Sequence, residues 1–157
     1  MINVLFVCLG NICRSPMAEA ILRHRLKEAG LDKQVLVDSA GTGDYHIGHV
    51  PHEGTREKLD AYEISYDGMK ARQVQSSDFE QFDYIIAMDD SNMKHLKDNF
   101  DFKQAEVCRM MDFVSDAKED NVPDPYFTRN FDYTYELLSE ACEDFIEYII
   151  KKHHIKG

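Results

Sequence analysis

Apolar residues along this chain occur in two alternating ways. Short unbroken runs are separated by stretches in which they recur every three or four positions. Unbroken runs suit strands covered on both faces, and the three-to-four spacing suits amphipathic helices, so the alternation predicts β-α units around a parallel sheet. Ile2–Val7 is the first such run. Ser15 and Pro16 then read as the N-cap and first position of a helix carrying Ala18, Ile21, Leu22, Leu26 and Ala29 on one face, ended by Gly30. Val35–Val37 reads as a second strand, followed by a polar stretch from Ser39 to Val50. Pro51 is expected to open a helix to about Tyr62, and Ala71–Val74 to be a short extended piece. Phe82–Met88 is a third strand, with Asp89–Ser91 starting the next helix, and Glu106–Met110 is a fourth. Two prolines around Asp124 argue against helix in the 115–130 loop. Leu138, Ala141, Cys142, Phe145 and Ile149 share one face of a last helix, and the basic stretch Lys151–His154 reads as a solvated tail.

Four strands with interspersed helices give an α/β fold: a three-layer α/β/α domain over residues 1–157, with a four-stranded parallel sheet. In such sheets ligands gather beyond the carboxyl ends of the strands, where the loop after the first strand, Cys8–Arg14, must lie. At 157 residues the chain can bury a core without staples. A net charge of -11, with no Lys/Arg-rich block, argues against nucleic acid and anionic membranes as partners. No apolar run approaches the ~20 residues of a membrane span, and the apolar N-terminus reads as a strand and not a signal peptide. Four cysteines in a chain of this size fit free thiols in a reducing cytoplasm. The sequence does not fix an oligomeric state; a monomer is expected.

If an acidic chain binds an anion, the positive potential must be local, and Cys8-Leu9-Gly10-Asn11-Ile12-Cys13-Arg14 can supply it. Between a strand and a helix start, the loop amides can point inward as an anion nest. Gly10 is expected to permit a conformation that a Cβ would resist, and Asn11 tolerates left-handed geometry. Arg14 brings a planar fork that matches two phosphate oxygens. Cys8 stands where amides, helix dipole and Arg14 favour its thiolate, a nucleophile able to form a thiophosphate. Ser15 can donate to the Cys8 sulfur. By sequence physics alone Pro123-Asp124-Pro125 is an ordinary turn.

Val7-Cys8-Leu9-Gly10-Asn11-Ile12-Cys13-Arg14-Ser15-Pro16-Met17-Ala18-Glu19 closely resembles the signature of the low-molecular-weight protein tyrosine phosphatases of bacterial type. Asp38–Thr42, Asp83–Asp89 and Asp124-Pro125-Tyr126 resemble further segments of that family, in the same order. The resemblance implies Cys8 as nucleophile, Arg14 as phosphate clamp and Asp124 as general acid and then base, with no metal and no organic cofactor. It further implies that Leu9, Gly10, Asn11, Ile12, Cys13 and Ser15 form the phosphate loop, with Asn11 as its support. Cys13 resembles a second loop cysteine that could trap oxidised Cys8 as a disulfide, or it packs under the loop.

Tyr45 and Tyr126 are expected to wall a cleft for a phenyl ring, or else are surface packing. Family members acting on phosphoarginine resemble this chain but carry threonine where it has Ile12; the branched apolar side chain favours phosphotyrosine. The expected partners are tyrosine-phosphorylated proteins. Arsenate reduction is a rival on the same fold, disfavoured because Cys108 and Cys142 are widely spaced and read as core thiols. His46, His49 and His52 straddle a loop and a helix start, so they need not converge, and they are read as tuning cleft charge or peptide specificity, or as having no role. Asp89-Asp90 is read as a helix cap.

Overall fold

The computed structural model describes residues 1–157. Its sheet has strand order β2-β1-β3-β4, from β1 (Ile2–Cys8), β2 (Val35–Gly41), β3 (Tyr84–Ala87) and β4 (Glu106–Arg109), all parallel. β1 is central, pairing from Ile2↔Val35 to Cys8↔Gly41 on one side and from Val4↔Tyr84 to Val7↔Ala87 on the other. Six helices connect and cover these strands: α1 (Arg14–Glu28), α2 (Glu53–Ala61), α3 (Asp78–Gln81), α4 (Asp90–Asn99), α5 (Pro125–Thr128) and α6 (Phe131–His153). No helix is long and apolar enough to cross a membrane.

Successive strand residues face opposite sides of the sheet, and β1 divides its side chains accordingly. Val4, Phe6 and Cys8 join the larger core, with Met17, Ile21 and Leu22 of α1, Leu59 of α2, and Leu138 and Phe145 of α6. Leu5 and Val7 join the smaller core with Ile85, Phe79 and Leu96. Phe79 there stacks on Phe100 and Phe102 with centroids 5.0 and 5.5 Å apart. Both faces of the central strand are therefore buried from Val4 onward, which is why its sequence is apolar apart from Asn3. The division also aims Cys8 toward α1.

Several boundaries differ from the sequence expectation, each for a local reason. α1 starts at Arg14, so Ser15 is not its cap and Pro16 is not its first residue. The Ser15 hydroxyl is committed to Cys8 and Asn11 instead. β2 runs on to Gly41, because the Arg72 carbonyl accepts from Gly41 N–H and Gly41 bridges Gln73. β3 and β4 are shorter than expected, and β4 turns directly into a 3-10 turn at Met110–Phe113. α2 begins at Glu53 and not at Pro51, since His52 Nδ1 caps it by accepting from Gly54 N–H at 3.0 Å. Asp124 accepts from Tyr126 N–H and caps a single turn of helix with Pro125 in first position. Pro125 thus opens a helical turn in a loop whose prolines are expected to exclude helix. Gly30 ends α1 in the left-handed region (φ 74°).

The basic stretch after Ile150 is exposed, as expected, but it is not a tail: α6 extends through His153, the Tyr84 hydroxyl lies 2.7 Å from His153 Nε2, and Lys152 pairs with Glu106 at 3.1 Å.

Candidate active site

The loop between β1 and α1 closes around the carboxyl end of the central strand. Cys8, Leu9, Gly10, Ile12, Cys13, Tyr45, His46, Asp124, Tyr126 and Phe127 line a cavity of ≈ 430 Å³. Arg14, Asn11 and Ser15, all buried, stand behind this lining rather than in it.

Asn11 adopts φ 56°, the left-handed conformation expected of it. Gly10 does not; its role is space, because a Cβ there would meet His46 Cδ2 at 3.0 Å. The Asn11 amide donates to Ser15 Oγ at 2.7 Å and to Ser39 Oγ at 3.0 Å, and its Oδ1 accepts from Arg72 N–H at 3.0 Å. The Ser39 hydroxyl then donates to Glu19 Oε1 at 2.6 Å. Because Ser15 Oγ accepts from Asn11, its own proton is directed to Cys8 Sγ, 3.0 Å away; the Ala40 carbonyl at 3.5 Å is the poorer acceptor. One set of proton positions thus satisfies the whole chain from Glu19 to Cys8. Burial raises the Glu19 carboxyl above its ordinary value, against the pull of Ser39 and Arg23. Arg72 is held from behind by Asp38 and Asp78, at 3.1 and 3.0 Å.

The Arg14 side chain is only 2% exposed. Its Nη1 donates to Asp89 Oδ2 at 2.6 Å and to the Val122 carbonyl at 2.9 Å, and its Nη2 lies 3.3 Å from Asp124 Oδ2. Burial alone would lower its pKa, but Cys8, Asp124 and Asp89 face it and raise it above the ordinary value. Nε is buried with no hydrogen-bond partner in the protein. Asp89 therefore has two tasks. It caps α4 by accepting from Asn92 N–H at 2.8 Å, as expected, and it also orients Arg14, which sequence spacing could not show.

Cys13 lines the same cavity as Cys8 and packs with Ile12 and Ala71, and burial first, then Cys8 and Asp124, push its thiol up to about 12. Cys142 is fully buried in the larger core, and Cys108, half-buried on β4, packs against that core; neither lines the cavity.

Tyr45 and Tyr126 both line the cavity, as does His46, one of the histidines read as tuning cleft charge; Phe127, missing from the sequence expectation, lines it too. Phe127 could have been read from its place beside Tyr126. His46 does converge with its neighbours: its ring centroid is 5.6 Å from His49 and 6.1 Å from Tyr126. His52 also approaches Tyr126, edge-on with centroids 5.9 Å apart, and stacks on Phe131 at 5.2 Å. The three histidines form no group that could hold a metal ion.

Residues 3–155 match the family model described as low molecular weight phosphotyrosine protein phosphatase. The chain is 49% identical over 156 residues to the low molecular weight protein-tyrosine-phosphatase YfkJ of Bacillus subtilis, covering 99% of this chain and 100% of that one. It is 46% identical to PtpA of Staphylococcus epidermidis, a protein of the same description, covering 99% of each. The crystal structure of YfkJ superposes with a TM-score of 0.94 at 50% identity, over 97% of this chain and 96% of that one. DARP, a drosophila arginine phosphatase, superposes with a TM-score of 0.86 at 32% identity, over 92% and 96%.

Proposed function

The chain belongs to the low molecular weight phosphotyrosine protein phosphatase family, and we propose that it hydrolyses phosphotyrosine in proteins through a cysteinyl-phosphate intermediate. The observation that carries this reading is the meeting of three groups from distant segments. Cys8 and Asp124 line one cavity, and Arg14 stands behind it within 3.3 Å of Asp124.

The Cys8 thiolate attacks phosphorus in line as the ester P–O bond breaks, giving a thiophosphate and a phenoxide. Asp124 gives its proton to the departing phenoxide, then takes one from the water that cleaves the P–S bond, releasing phosphate and regenerating the thiolate. Loop amides and Arg14, whose Nε is the donor still unpaired, stabilise the equatorial oxygens as charge spreads over them. The Ser15 hydroxyl, aimed at Cys8 by Asn11, stabilises the thiolate each time it leaves phosphorus.

Ile12 in the cavity lining and the aromatic walls Tyr45 and Tyr126 favour an aryl ester over a guanidinium phosphate. Likeness to DARP keeps protein arginine phosphatase as the second reading. Arsenate reduction is disfavoured because neither Cys108 nor Cys142 reaches the cavity to relay a disulfide. We read residues 1–157 as one cytoplasmic domain acting as a monomer.

The test compares rates on phosphotyrosine and phosphoarginine peptides, with arsenate reduction run alongside. Phosphotyrosine is expected to be the best substrate, Cys8→Ser to be inactive, and Ile12→Thr to move the ratio toward phosphoarginine. Undiminished turnover in Cys8→Ser removes the mechanism; a higher parental rate on phosphoarginine replaces the substrate.

A further inference from the structure

Beside the active-site cavity runs a second, more open groove of ≈ 590 Å³. The two share Ile12, His46 and Tyr126, so a His46–Tyr126 partition separates them. Its lining also includes His49, Glu53 and Arg56. Arg56 Nε donates to the Pro51 carbonyl at 2.9 Å, which anchors the guanidinium at the start of α2. Its two terminal nitrogens make no hydrogen bond or ion pair with the protein, although Glu53 lines the same groove. An anchored guanidinium with an open pair of donors matches a carboxylate. His49 is exposed and offers at least one ring N–H in either protonation state.

This cation is notable on a chain of net charge -11. The protein as a whole repels acidic peptides, so a local positive charge beside the catalytic cavity sorts among them where it stands. An extended peptide advances ~3.3 Å per residue with side chains alternating in direction. A residue close to one seated in the cavity can therefore cross the partition.

Building on the phosphotyrosine reading, we infer that this groove receives the carboxylate of an aspartate or glutamate one or two positions from the phosphotyrosine, held by Arg56 and His49. The groove thereby selects phosphotyrosines in acidic sequence. Neither residue takes part in the chemistry, so the selection falls mainly on KM.

The test uses three phosphotyrosine peptides, identical except that the flanking residues are aspartate, asparagine or lysine, with p-nitrophenyl phosphate as a probe too small to reach the groove. At low salt the parent is expected to favour the aspartate peptide over the asparagine one by roughly three- to fivefold in kcat/KM, the range of a partly exposed ion pair. Arg56→Gln should abolish that preference, Arg56→Lys keep part of it, and Arg56→Glu turn it toward the lysine peptide. His49→Gln should reduce it. All four variants should hydrolyse p-nitrophenyl phosphate at the parental rate, which separates lost selection from lost folding. Equal parental rates on the aspartate and asparagine peptides overturn the inference, as does a preference that survives Arg56→Gln. If p-nitrophenyl phosphate and the asparagine peptide are cleaved without acidic preference, only the groove assignment falls. If neither is cleaved, the phosphatase reading falls and takes this one with it.

Discussion

Asp89→Asn isolates the orienting task of Asp89 from its capping task. Asparagine caps a helix about as well as aspartate, so α4 keeps its start. What changes is the partner of Arg14 Nη1, now 2.6 Å from a carboxylate oxygen on a side chain 23% exposed. A hydrogen bond to a charged group contributes about 1.5–3 kcal/mol, and a neutral acceptor in its place about 1 kcal/mol. The difference, about 0.5–2 kcal/mol, falls on a guanidinium still held by the Val122 carbonyl and Asp124. If Arg14 must be held in place for the transition state, kcat/KM on an aryl phosphate drops roughly two- to thirtyfold. Inhibition by vanadate should weaken in parallel. Asp89→Ala falls further in activity and also loses the cap, about 1 kcal/mol of stability by urea unfolding. An Asp89→Asn protein within twofold of the parent in kcat/KM, with unchanged vanadate inhibition, would falsify the orienting role and leave Asp89 as a cap alone.

Other expectations follow from the buried groups. Burial raises the Glu19 carboxyl, so the folded state holds a proton more tightly than the unfolded one, and the parent loses stability as pH rises from 4.5 through the raised value. Glu19→Gln has no such loss; urea midpoints of the pair should show the parent losing ground to the variant as pH rises above 4.5, and a constant gap contradicts the assignment. Phe145, fully buried and edge-on to Tyr84 and Phe113 with centroids 5.6 and 4.9 Å away, should cost about 3–5 kcal/mol as alanine, with kcat retained while the protein is folded. A loss below 1 kcal/mol would mean that the larger core closes over the gap. Burial pushes Cys13, Cys108 and Cys142 up to about 12, so all three stay as thiols at pH 7. Iodoacetamide followed by mass spectrometry should find Cys8 modified first, with phosphate slowing it; prior modification of Cys13 refutes this.

Much of this architecture is legible in the chain because burial on two faces leaves a plain trace. The runs around Leu5 and Ile85 and the face of α6 through Phe145 are unmistakable. Helix starts are less so, because a hydroxyl can serve either a cap or a site. Ser15 has the spacing of a cap, yet its hydroxyl is committed to Cys8. Within the site, contiguous positions from Cys8 to Ser15 could be read as one loop. Asp89, His46 and Arg72 could not, since their contacts with Arg14, Gly10 and Asn11 cross gaps of 75, 36 and 61 positions that no local pattern encodes. Gly10 shows the same limit in miniature: the residue was legible, but the reason for it, the His46 ring, was not.

The contact between Arg14 and Asp124 also bears on how the protein sheds its product. Any oxyanion approaching Arg14 competes with a carboxylate already tethered there. That competition weakens the resting protein's grip on ester and inorganic phosphate alike, since each must displace the carboxylate before it reaches Arg14. The protein is in effect its own mild competitive inhibitor.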